Sequence, residues 1–373
     1  MPFGYLISAL LPALCVLAAL APRRSPHPLA AACFVLGFID ELPFLAAYSL
    51  IASTLLAAAE GDLITPIGWV AFAIDLLALA GLVVLVVRAL PTGEVLDRAL
   101  AEQLAPPPRY GPPRYGPPRY GPPRYGPPRY GPAARVPVLP MLLWPFIRRR
   151  RDVRRTANIR YADERRNTLD LYRYRANGSA RPVFVHLHGG AFAGGRKNQE
   201  SLPLIYHLAR QGWLCVSANY RLRPASRQDQ LTDVGRVLGW VHANADRYGG
   251  DPTTVVLAGG SAGAYLAALA TLTIDDPSVK ATVMLYAYYG DLDAVDARPG
   301  TPPFLVIHGT HDTLIPVEAA RHFVGQLRRG SPSPVVYAEL PGAGHAFDIF
   351  HSPRSRAVVR GVATFLAHIR VSA

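Results

Sequence analysis

The chain has 373 residues, 50% of them hydrophobic, and a formal net charge of +13. This length is enough for two or three domains, and the hydrophobic excess, which lies before residue 91, argues against a purely soluble protein. The positive charge is concentrated in one segment, because residues 101–175 hold 17 arginines and only five acidic residues. This distribution argues against an evenly basic catalytic domain and indicates one basic surface near an anionic partner. Three cysteines without paired spacing (Cys15, Cys33 and Cys215) argue against a disulfide framework or a metal site.

Three apolar stretches in the first 90 residues predict membrane helices. Residues 3–21 form an uncharged apolar run, residues 29–59 are nearly all apolar, and residues 67–90 form the clearest span. A bilayer needs about 20 such residues. We therefore predict a membrane region over residues 1–91, with three transmembrane helices. A cleaved signal peptide is the alternative for the first stretch, although no Lys or Arg precedes its apolar core.

Three carboxylates interrupt these apolar stretches: Asp40, Glu41 and Asp75. A central Asp in a membrane helix costs about 2.5–3.5 kcal/mol, so such residues are candidates for a function. The alternative, which we favour, is that Asp40 and Glu41 lie at a membrane edge with the true span at 42–59. Asp75 is then neutral or faces another helix.

The placement of arginines predicts how the membrane region is oriented. Arg23 and Arg24 follow the first stretch, the second connection at 60–62 is acidic, and Arg88 and Arg98 follow the third stretch. Since basic residues stay on the cytoplasmic side, we expect a multi-pass protein of the cell membrane with its amino terminus outside and its catalytic domain in the cytoplasm. The loss of one span would reverse this orientation.

Residues 92–155 have the composition of a linker and a basic juxtamembrane segment. The pentapeptide Pro-Pro-Arg-Tyr-Gly repeats five times from Pro107 to Gly131, which favours extended polyproline II structure. The apolar residues 141–147 then precede the arginine-rich segment Arg148–Arg155. An apolar segment followed by an arginine-rich segment predicts contact with an anionic membrane surface. A solvated tether without a partner is one alternative. Single-stranded nucleic acid is another, but beside a membrane we expect no nucleic acid.

Residues 156–373 alternate short apolar runs with helical stretches. Strands are predicted near residues 168–174, 183–187, 214–217, 255–258, 281–286, 304–307 and 335–338, with helices near 229–247, directly after 263, and at 357–369. Strands that alternate with helices indicate an α/β domain, with a mainly parallel sheet covered on both faces.

Ser261 is the candidate nucleophile of this domain. It lies in Gly259-Gly260-Ser261-Ala262-Gly263, between a predicted strand and a predicted helix, which is the context of a nucleophile elbow. The turn needs small flanking residues, and Gly259 and Gly263 allow the strand and the helix to approach each other. The following helix directs its amino-terminal dipole at the site.

His345 and Asp312 are the candidate base and acid. A serine hydroxyl needs a base to accept its proton, and His345 follows the last predicted strand. Asp312 follows the strand before it, so the chain order is Ser, Asp, His, as this architecture requires. His351 is the rival base. The rival acids are Asp291, Asp293 and Asp296.

The segment His188-Gly189-Gly190-Ala191-Phe192 predicts an oxyanion hole. Glycine leaves the peptide N–H groups open to a substrate oxygen, so Gly189 and Gly190 are candidate donors, together with the N–H of Ala262. One such donor is worth about 2.7–4 kcal/mol in the transition state. The alternative is a glycine turn without a chemical role.

Together these motifs resemble the carboxylesterases of the α/β-hydrolase superfamily, over roughly residues 160–370. The resemblance is strongest to the hormone-sensitive-lipase-like and bacterial feruloyl-esterase-like branches, and the GGSAGA segment is also similar to aryl formamidases. It depends on the segments HGGAF, NYRL (219–222), YGGDP (248–252), GGSAGA and HGTHD. Two positions depart from hormone-sensitive-lipase relatives, which usually carry glycine at Ala191 and an acidic residue at Gly260. The resemblance implies the α/β-hydrolase fold and an acyl-enzyme mechanism without a metal or a cofactor.

The leading hypothesis is therefore a membrane-anchored carboxylesterase or lipase. The short segment between Ser261 and Asp312 leaves little room for a large cap, which predicts an open site for short or medium acyl groups, or for lipid esters from the bilayer. An aryl formamidase or another amidase is the enzyme alternative. A membrane scaffold whose hydrolase domain no longer turns over is the alternative from another class.

Overall fold

A computed structural model describes residues 2–24, 26–104, 145–146, 150–175 and 180–372. The repeat from Pro107 to Gly131 and the residues Arg148 and Arg149 lie outside these ranges, so their predicted roles stay predictions.

The amino-terminal region is helical, and prolines mark two of its helix starts. Pro43 and Pro66 occupy the first turns of α3 and α4, where the missing N–H costs nothing. The helices are α1 (Pro2–Leu20), α2 (Ala30–Gly37), α3 (Pro43–Ala59), α4 (Pro66–Ala89) and α5 (Thr92–Gln103). By length and composition, the helical stretches Phe3–Leu20 and Pro66–Gln103 are long and apolar enough to cross a membrane. The segment Ala30–Glu41 meets α3 at 86°, and this bent pair provides at most one further span.

Contacts between the three long helices give their directions. Along α1 and α4, Tyr5 clusters with Ala71 near one end, while Arg88 donates to the carbonyl oxygen of Leu20 at the other, so the two helices are parallel. The α3 helix runs the opposite way, because Thr54, near its end, hydrogen-bonds Tyr5. Thr54 also donates to Asp75 at 2.8 Å. The buried carboxylate of Asp75 therefore faces another helix, as the structural alternative expected.

An eight-stranded sheet follows, in the order β1-β2-β4-β3-β5-β6-β7-β8. β1 and β2 pair antiparallel, as do β2 and β4, and all the other neighbours are parallel. The strands are β1 (Val153–Arg160), β2 (Thr168–Tyr174), β3 (Arg181–Leu187), β4 (Leu214–Ala218), β5 (Gly250–Gly260), β6 (Val279–Leu285), β7 (Phe304–Gly309) and β8 (Val335–Leu340). This mainly parallel sheet confirms the predicted α/β fold.

Helices cover both faces of the sheet and form two apolar cores. One face packs against α7 (Arg227–Asn244), α8 (Ala262–Thr273) and α9 (Val317–Gly330). The other packs against α5, α6 (Leu202–Arg210) and α10 (Pro353–Ser372). The composition placed residues 92–155 in a linker, whereas α5, at the start of this range, packs against the sheet domain. It is an amphipathic helix, and its buried Leu96 packs against Gly361 of α10.

A buried ionic cluster joins the amino-terminal helices to the sheet domain. Asp40 and Glu41 lie in a 3-10 turn after α2, and both accept hydrogen bonds from Arg354 in α10. The Arg354–Asp40 distance is 2.6 Å. Ser352 donates to the other carboxylate oxygen of Glu41. These carboxylates therefore lie at the junction with the sheet domain, which fits the alternative of a span that begins near residue 42.

Candidate active site

Ser261 lies at the turn between β5 and α8. Its φ of 52° and ψ of −119° fall in a sparsely populated region, as expected of a strained elbow. A Cβ on Gly259 would collide with the backbone of Gly263, and a Cβ on Gly263 would collide with the carbonyl oxygen of Leu187. Only glycine at both positions permits this close crossing of strand and helix. The turn places Ser261 at the amino terminus of α8, at the carboxyl edge of the sheet.

Asp312 and His345 meet at the same edge of the sheet. Asp312 follows β7, His345 follows β8, and the Nδ1–H of His345 donates to Asp312 Oδ2 at 2.6 Å. Asp312 Oδ1 accepts the N–H groups of Leu314 and Ile315, both at 2.9 Å. Burial alone would raise the pKa of Asp312, but His345 and these hydrogen bonds hold it below its ordinary value. The carboxylate therefore stays ionised and fixes the orientation of the imidazole ring.

Of the rival residues, Asp291, Asp296 and His351 form no histidine–acid pair within the described residues. Asp291 accepts a hydrogen bond from Tyr265 at 2.6 Å, and Asp296 is exposed. The side chain of Asp293 is outside the described part of the structure. His351 is exposed, and its backbone N–H donates to Pro145. The structure thus pairs a histidine with an acid only for the predicted residues among these candidates.

The glycine loop after β3 lies directly beside Ser261. A Cβ placed on Gly189 would come within 3.0 Å of the Cβ of Ser261. Across the described residues, the N–H groups of Gly190 and Ala262 have no hydrogen-bond acceptor, so both are available to a ligand. The N–H of Gly189, a predicted donor, instead donates to Glu200 Oε2 at 2.6 Å.

Glu200 is half-buried beside a buried hydrogen-bond network that the sequence did not indicate, and it interacts electrostatically with Asp348 of that network. Burial raises the pKa of Glu200 to about 7, although the Gly189 N–H lowers it. Next along the chain, Ser201 donates to Asp348 at 2.5 Å, and Tyr286 donates to the other oxygen of Asp348 at 2.5 Å. The ring of Tyr286 packs 4.9 Å from that of His345. The network therefore fixes Tyr286, whose ring packs against the candidate base.

The amino-terminal helices form the other wall around His345. The ring of Phe34 in α2 lies edge-on to the imidazole, with 5.8 Å between centroids. A small cavity of about 30 Å³ lies at this junction, and its lining includes Phe38, His311 and Gly344 as well as Phe34 and His345. Aromatic residues of the apolar region thus reach the candidate base, a contact between positions 311 residues apart that no local pattern indicates.

Two further observations describe the side chains of this site. Within the described ranges, no group of three His, Cys, Asp or Glu side chains is placed to hold a metal ion. The hydroxyl of Ser261 makes no hydrogen bond to any described residue, and catalytic hydrogen bonds often tighten only once a substrate is bound. An ionised acid, an oriented imidazole, a hydroxyl on a strained turn and two open N–H groups are the parts needed for acyl transfer.

Comparisons with known proteins give the family of the chain. The BD-FAE family matches residues 169–298. A probable carboxylic ester hydrolase, LipM of Mycobacterium tuberculosis, is 38% identical, over 59% of this chain and 62% of its own length. Esterase LipC of the same organism is 35% identical, over 61% of this chain and 68% of its own length. The chain thus spans less than two thirds of the length of LipM and slightly more than two thirds of that of LipC.

A solved structure shows the same fold. Thermogutta terrifontis esterase 2, phosphoramylated by tabun, superposes with a TM-score of 0.51 at 22% identity, over 59% of this chain and 95% of that chain. This likeness concerns the fold of the sheet domain, and the similarity to LipC extends to the sequence. The chain therefore belongs to the carboxylic ester hydrolases that share the α/β-hydrolase fold.

Proposed function

We propose that this chain is a membrane-anchored serine carboxylesterase, with Ser261 as nucleophile, His345 as base and Asp312 as acid. The observation that carries the proposal is the 2.6 Å hydrogen bond from His345 to Asp312, at the sheet edge that also carries Ser261. With Nδ1–H held by the carboxylate, the ring presents Nε2 as the proton acceptor.

The reaction then proceeds in two steps. Ser261 Oγ attacks the ester carbonyl while His345 accepts its proton, and the carbonyl oxygen becomes an oxyanion held by the N–H groups of Gly190 and Ala262. His345 returns the proton to the leaving alcohol, and the acyl group stays on Ser261. A water molecule then gives a proton to His345 and attacks the acyl-enzyme, and His345 passes that proton to Ser261 Oγ as the acid is released.

The membrane part of the proposal is supported by exposed apolar side chains. Along α1, large apolar residues recur at helical spacing with more than half of their surface exposed: Phe3, Ile7, Leu11, Leu14 and Leu17. Leu77 of α4 is 74% exposed. Contiguous exposed apolar surface of this kind marks a membrane or protein contact. With α1 and α4 parallel and α3 antiparallel, three spans would put the amino terminus and the catalytic domain on opposite sides.

One experiment tests the catalytic part of the proposal. The full chain and its Ser261→Ala variant are treated with a fluorophosphonate probe and assayed on p-nitrophenyl esters of increasing chain length and on N-formylkynurenine. Labelling and ester hydrolysis by the wild type alone would support the proposal. A folded wild-type chain that takes up no label would indicate a catalytically silent scaffold, and a preference for N-formylkynurenine would indicate an aryl formamidase.

A second experiment tests the membrane part. After cell fractionation and an alkaline wash, the full chain should remain in the membrane pellet. A thiol reagent that does not cross membranes should label an Arg247→Cys variant only after the cells are broken, because this exposed position belongs to the sheet domain. Release by the wash would refute membrane anchoring, and labelling of intact cells would refute the cytoplasmic orientation.

A further inference from the structure

Three aromatic rings form a wall beside Ser261, and each comes from a different part of the site. Phe192 follows the glycine loop, Tyr265 lies one turn into α8, and Tyr288 follows β6. Their ring centroids lie 5.5–5.7 Å apart. The backbone N–H groups of Tyr265 and Tyr288 both donate to the carbonyl oxygen of Ser261, at 3.1 and 3.2 Å. The aromatic wall is therefore fixed directly to the nucleophile turn.

A guanidinium group lies on this wall. Arg227, the first residue of α7, has its Cζ 3.2 Å from the ring centroid of Phe192 and 6.0 Å from that of Tyr265. Its side chain donates to Gln230 at 3.0 Å, and in the described ranges it forms no ion pair with a carboxylate. Burial lowers the pKa of Arg227. Such a partly buried cation without a counter-ion is unfavourable unless a ligand supplies the missing charge.

The arginines around Arg227 differ in whether they have an acidic partner. Arg221 pairs with Asp233 at 2.9 Å, and Arg236 pairs with the same carboxylate at 3.3 Å. Arg223 is exposed, lies near enough to lower the pKa of Arg227, and likewise forms no ion pair with a described residue. Both arginines lie at the aromatic wall, because Arg227 contacts the ring of Phe192 and the backbone N–H of Arg223 donates to the carbonyl oxygen of Phe192 at 2.8 Å, and together they make a positive rim.

The space beside Arg227 is open to a ligand. A groove of about 770 Å³ runs between α7 and α8, with Arg227 and Tyr265 among its lining residues. Its floor includes the apolar side chains of Leu231 and Leu269. One carboxylate, Asp291, lies at the groove and accepts the hydrogen bond from Tyr265. Among the described residues this acid forms no ion pair with the guanidinium.

We propose that Arg227 and the aromatic wall bind an anionic group, a carboxylate or a phosphate, carried by the ester that Ser261 attacks. This inference rests on the proposed esterase function and names the substrate class of that site. Arg227 lies over the ring of Phe192 and uses one N–H group for Gln230, so its remaining N–H groups can meet the two oxygens of a carboxylate or phosphate. Tyr288, the exposed ring of the wall, would contact the apolar part of the same substrate, while the buried rings of Phe192 and Tyr265 support it and the guanidinium.

The test compares two esters that differ only at the far end of the acyl chain. Mono-p-nitrophenyl succinate carries a carboxylate where p-nitrophenyl butyrate carries a methyl group. We expect the full wild-type chain to prefer the succinate, and Arg227→Gln to lower the succinate-to-butyrate ratio of kcat/KM by about 10- to 100-fold, the range of a charge-assisted hydrogen bond. The loss should appear mainly in KM, since the subsite lies away from the reacting atoms.

Arg236→Gln is the matched comparison, because it removes the same charge from the same helix at a residue that also lines the groove but is paired with Asp233. This variant should keep the wild-type ratio. Arg227→Lys keeps the charge without the planar fork and should retain part of the preference. If Arg227→Gln lowers kcat/KM for both esters equally, Arg227 has a structural role only, and the proposal is overturned.

A second pair of substrates separates a lipid headgroup from a soluble anion. Phosphatidylcholine vesicles are loaded with dioctanoyl phosphatidate or with the neutral dioctanoylglycerol. A preference for the phosphatidate that Arg227→Gln abolishes would assign the subsite to a lipid phosphate. A preference seen only with the succinate ester would assign it to a soluble carboxylate, and no anionic preference in either pair would overturn the inference while esterase activity stands.

A binding measurement makes the inference independent of turnover. In the Ser261→Ala background, monobutyl phosphate should bind at least about tenfold more tightly to the chain with Arg227 than to the chain with Gln at that position. Equal dissociation constants would overturn the subsite. A wild type that hydrolyses no ester but whose Ser261→Ala form shows this difference would instead overturn the esterase and leave the anion site.

Discussion

The buried contact between Arg354 and the acidic turn after α2 predicts a large effect of one substitution. Arg354 is fully buried and is the cation that pairs with both Asp40 and Glu41. Arg354→Met would keep the side-chain volume but leave two carboxylates buried without a counter-ion. Breaking a buried pair in this way costs about 3–5 kcal/mol, which for a domain of about 200 residues lowers Tm by roughly 6–20 °C.

Two companion variants isolate the electrostatic cause. Adding Asp40→Asn and Glu41→Gln to Arg354→Met removes the stranded charges and should recover most of the loss, because an ion cluster can often be replaced whole by neutral groups. Arg360→Gln breaks the exposed pair with Asp97, also in α10, and should cost no more than about 1 kcal/mol.

Thermal unfolding of the full chain in detergent micelles measures these changes. The reasoning would be refuted if Arg354→Met lowered Tm no further than Arg360→Gln, or if the triple variant were less stable than Arg354→Met alone. The first result would mean that the amino-terminal helices do not depend on this contact. The second would mean that the buried carboxylates are not destabilising once Arg354 is gone.

Three further predictions concern the site. Asp312→Asn should leave the fold intact but lower kcat for a p-nitrophenyl ester by about 10⁴-fold, since the amide no longer holds the Nδ1–H tautomer of His345; an unchanged kcat would refute the role of the acid. The pKa of Glu200 is raised from 4.5 to about 7, so the folded chain holds this proton more tightly than the unfolded chain. The free energy of unfolding should therefore fall as pH rises between these values and level off above them, and Glu200→Gln should lack this slope. Parallel Tm curves for the two proteins from pH 4.5 to 8 would contradict the assignment. Gly260→Ala should lower stability by about 1–3 kcal/mol and impair turnover, because its Cβ would lie 2.5 Å from the Tyr286 hydroxyl; a Tm equal to that of the wild type would show that the ring moves aside freely.

The parts of the fold and site that the sequence predicted are those whose signal is local. The elbow around Ser261 contains its own glycines, and most predicted strands are short apolar runs between turn residues, while residues 168–174 alternate apolar and polar side chains. β1 was not predicted, because Val153–Arg160 is a polar edge strand with little buried surface, and it is held by the contact of Arg155 with Asp170 at 2.5 Å. Its identity as a strand depends on a partner and not on its own pattern.

The remaining site residues were beyond sequence reasoning because their partners are far away in the chain. Asp348 is bound by Ser201 and Tyr286, which lie 147 and 62 residues away. Arg354 and Asp40 are 314 residues apart. No periodicity or motif couples such positions. The carboxylates of the apolar region appeared in the sequence as anomalies, and only the folded chain shows the cation that neutralises them.

The loop between β8 and α10 explains why these distant contacts bear on catalysis. It carries His345, Asp348 and Ser352, and each of these is held by a different part of the chain. His345 is bound by Asp312, and Asp348 is bound by Tyr286. Ser352 is bound by Glu41 in the acidic turn after α2. A loop that is fixed at three points loses little entropy when the substrate binds. Since one of these points belongs to the amino-terminal helices, the geometry of the candidate base depends on the apolar region as well as on the sheet domain. Arg354→Met should therefore lower kcat as well as Tm, while Arg360→Gln changes neither beyond the small cost of an exposed pair.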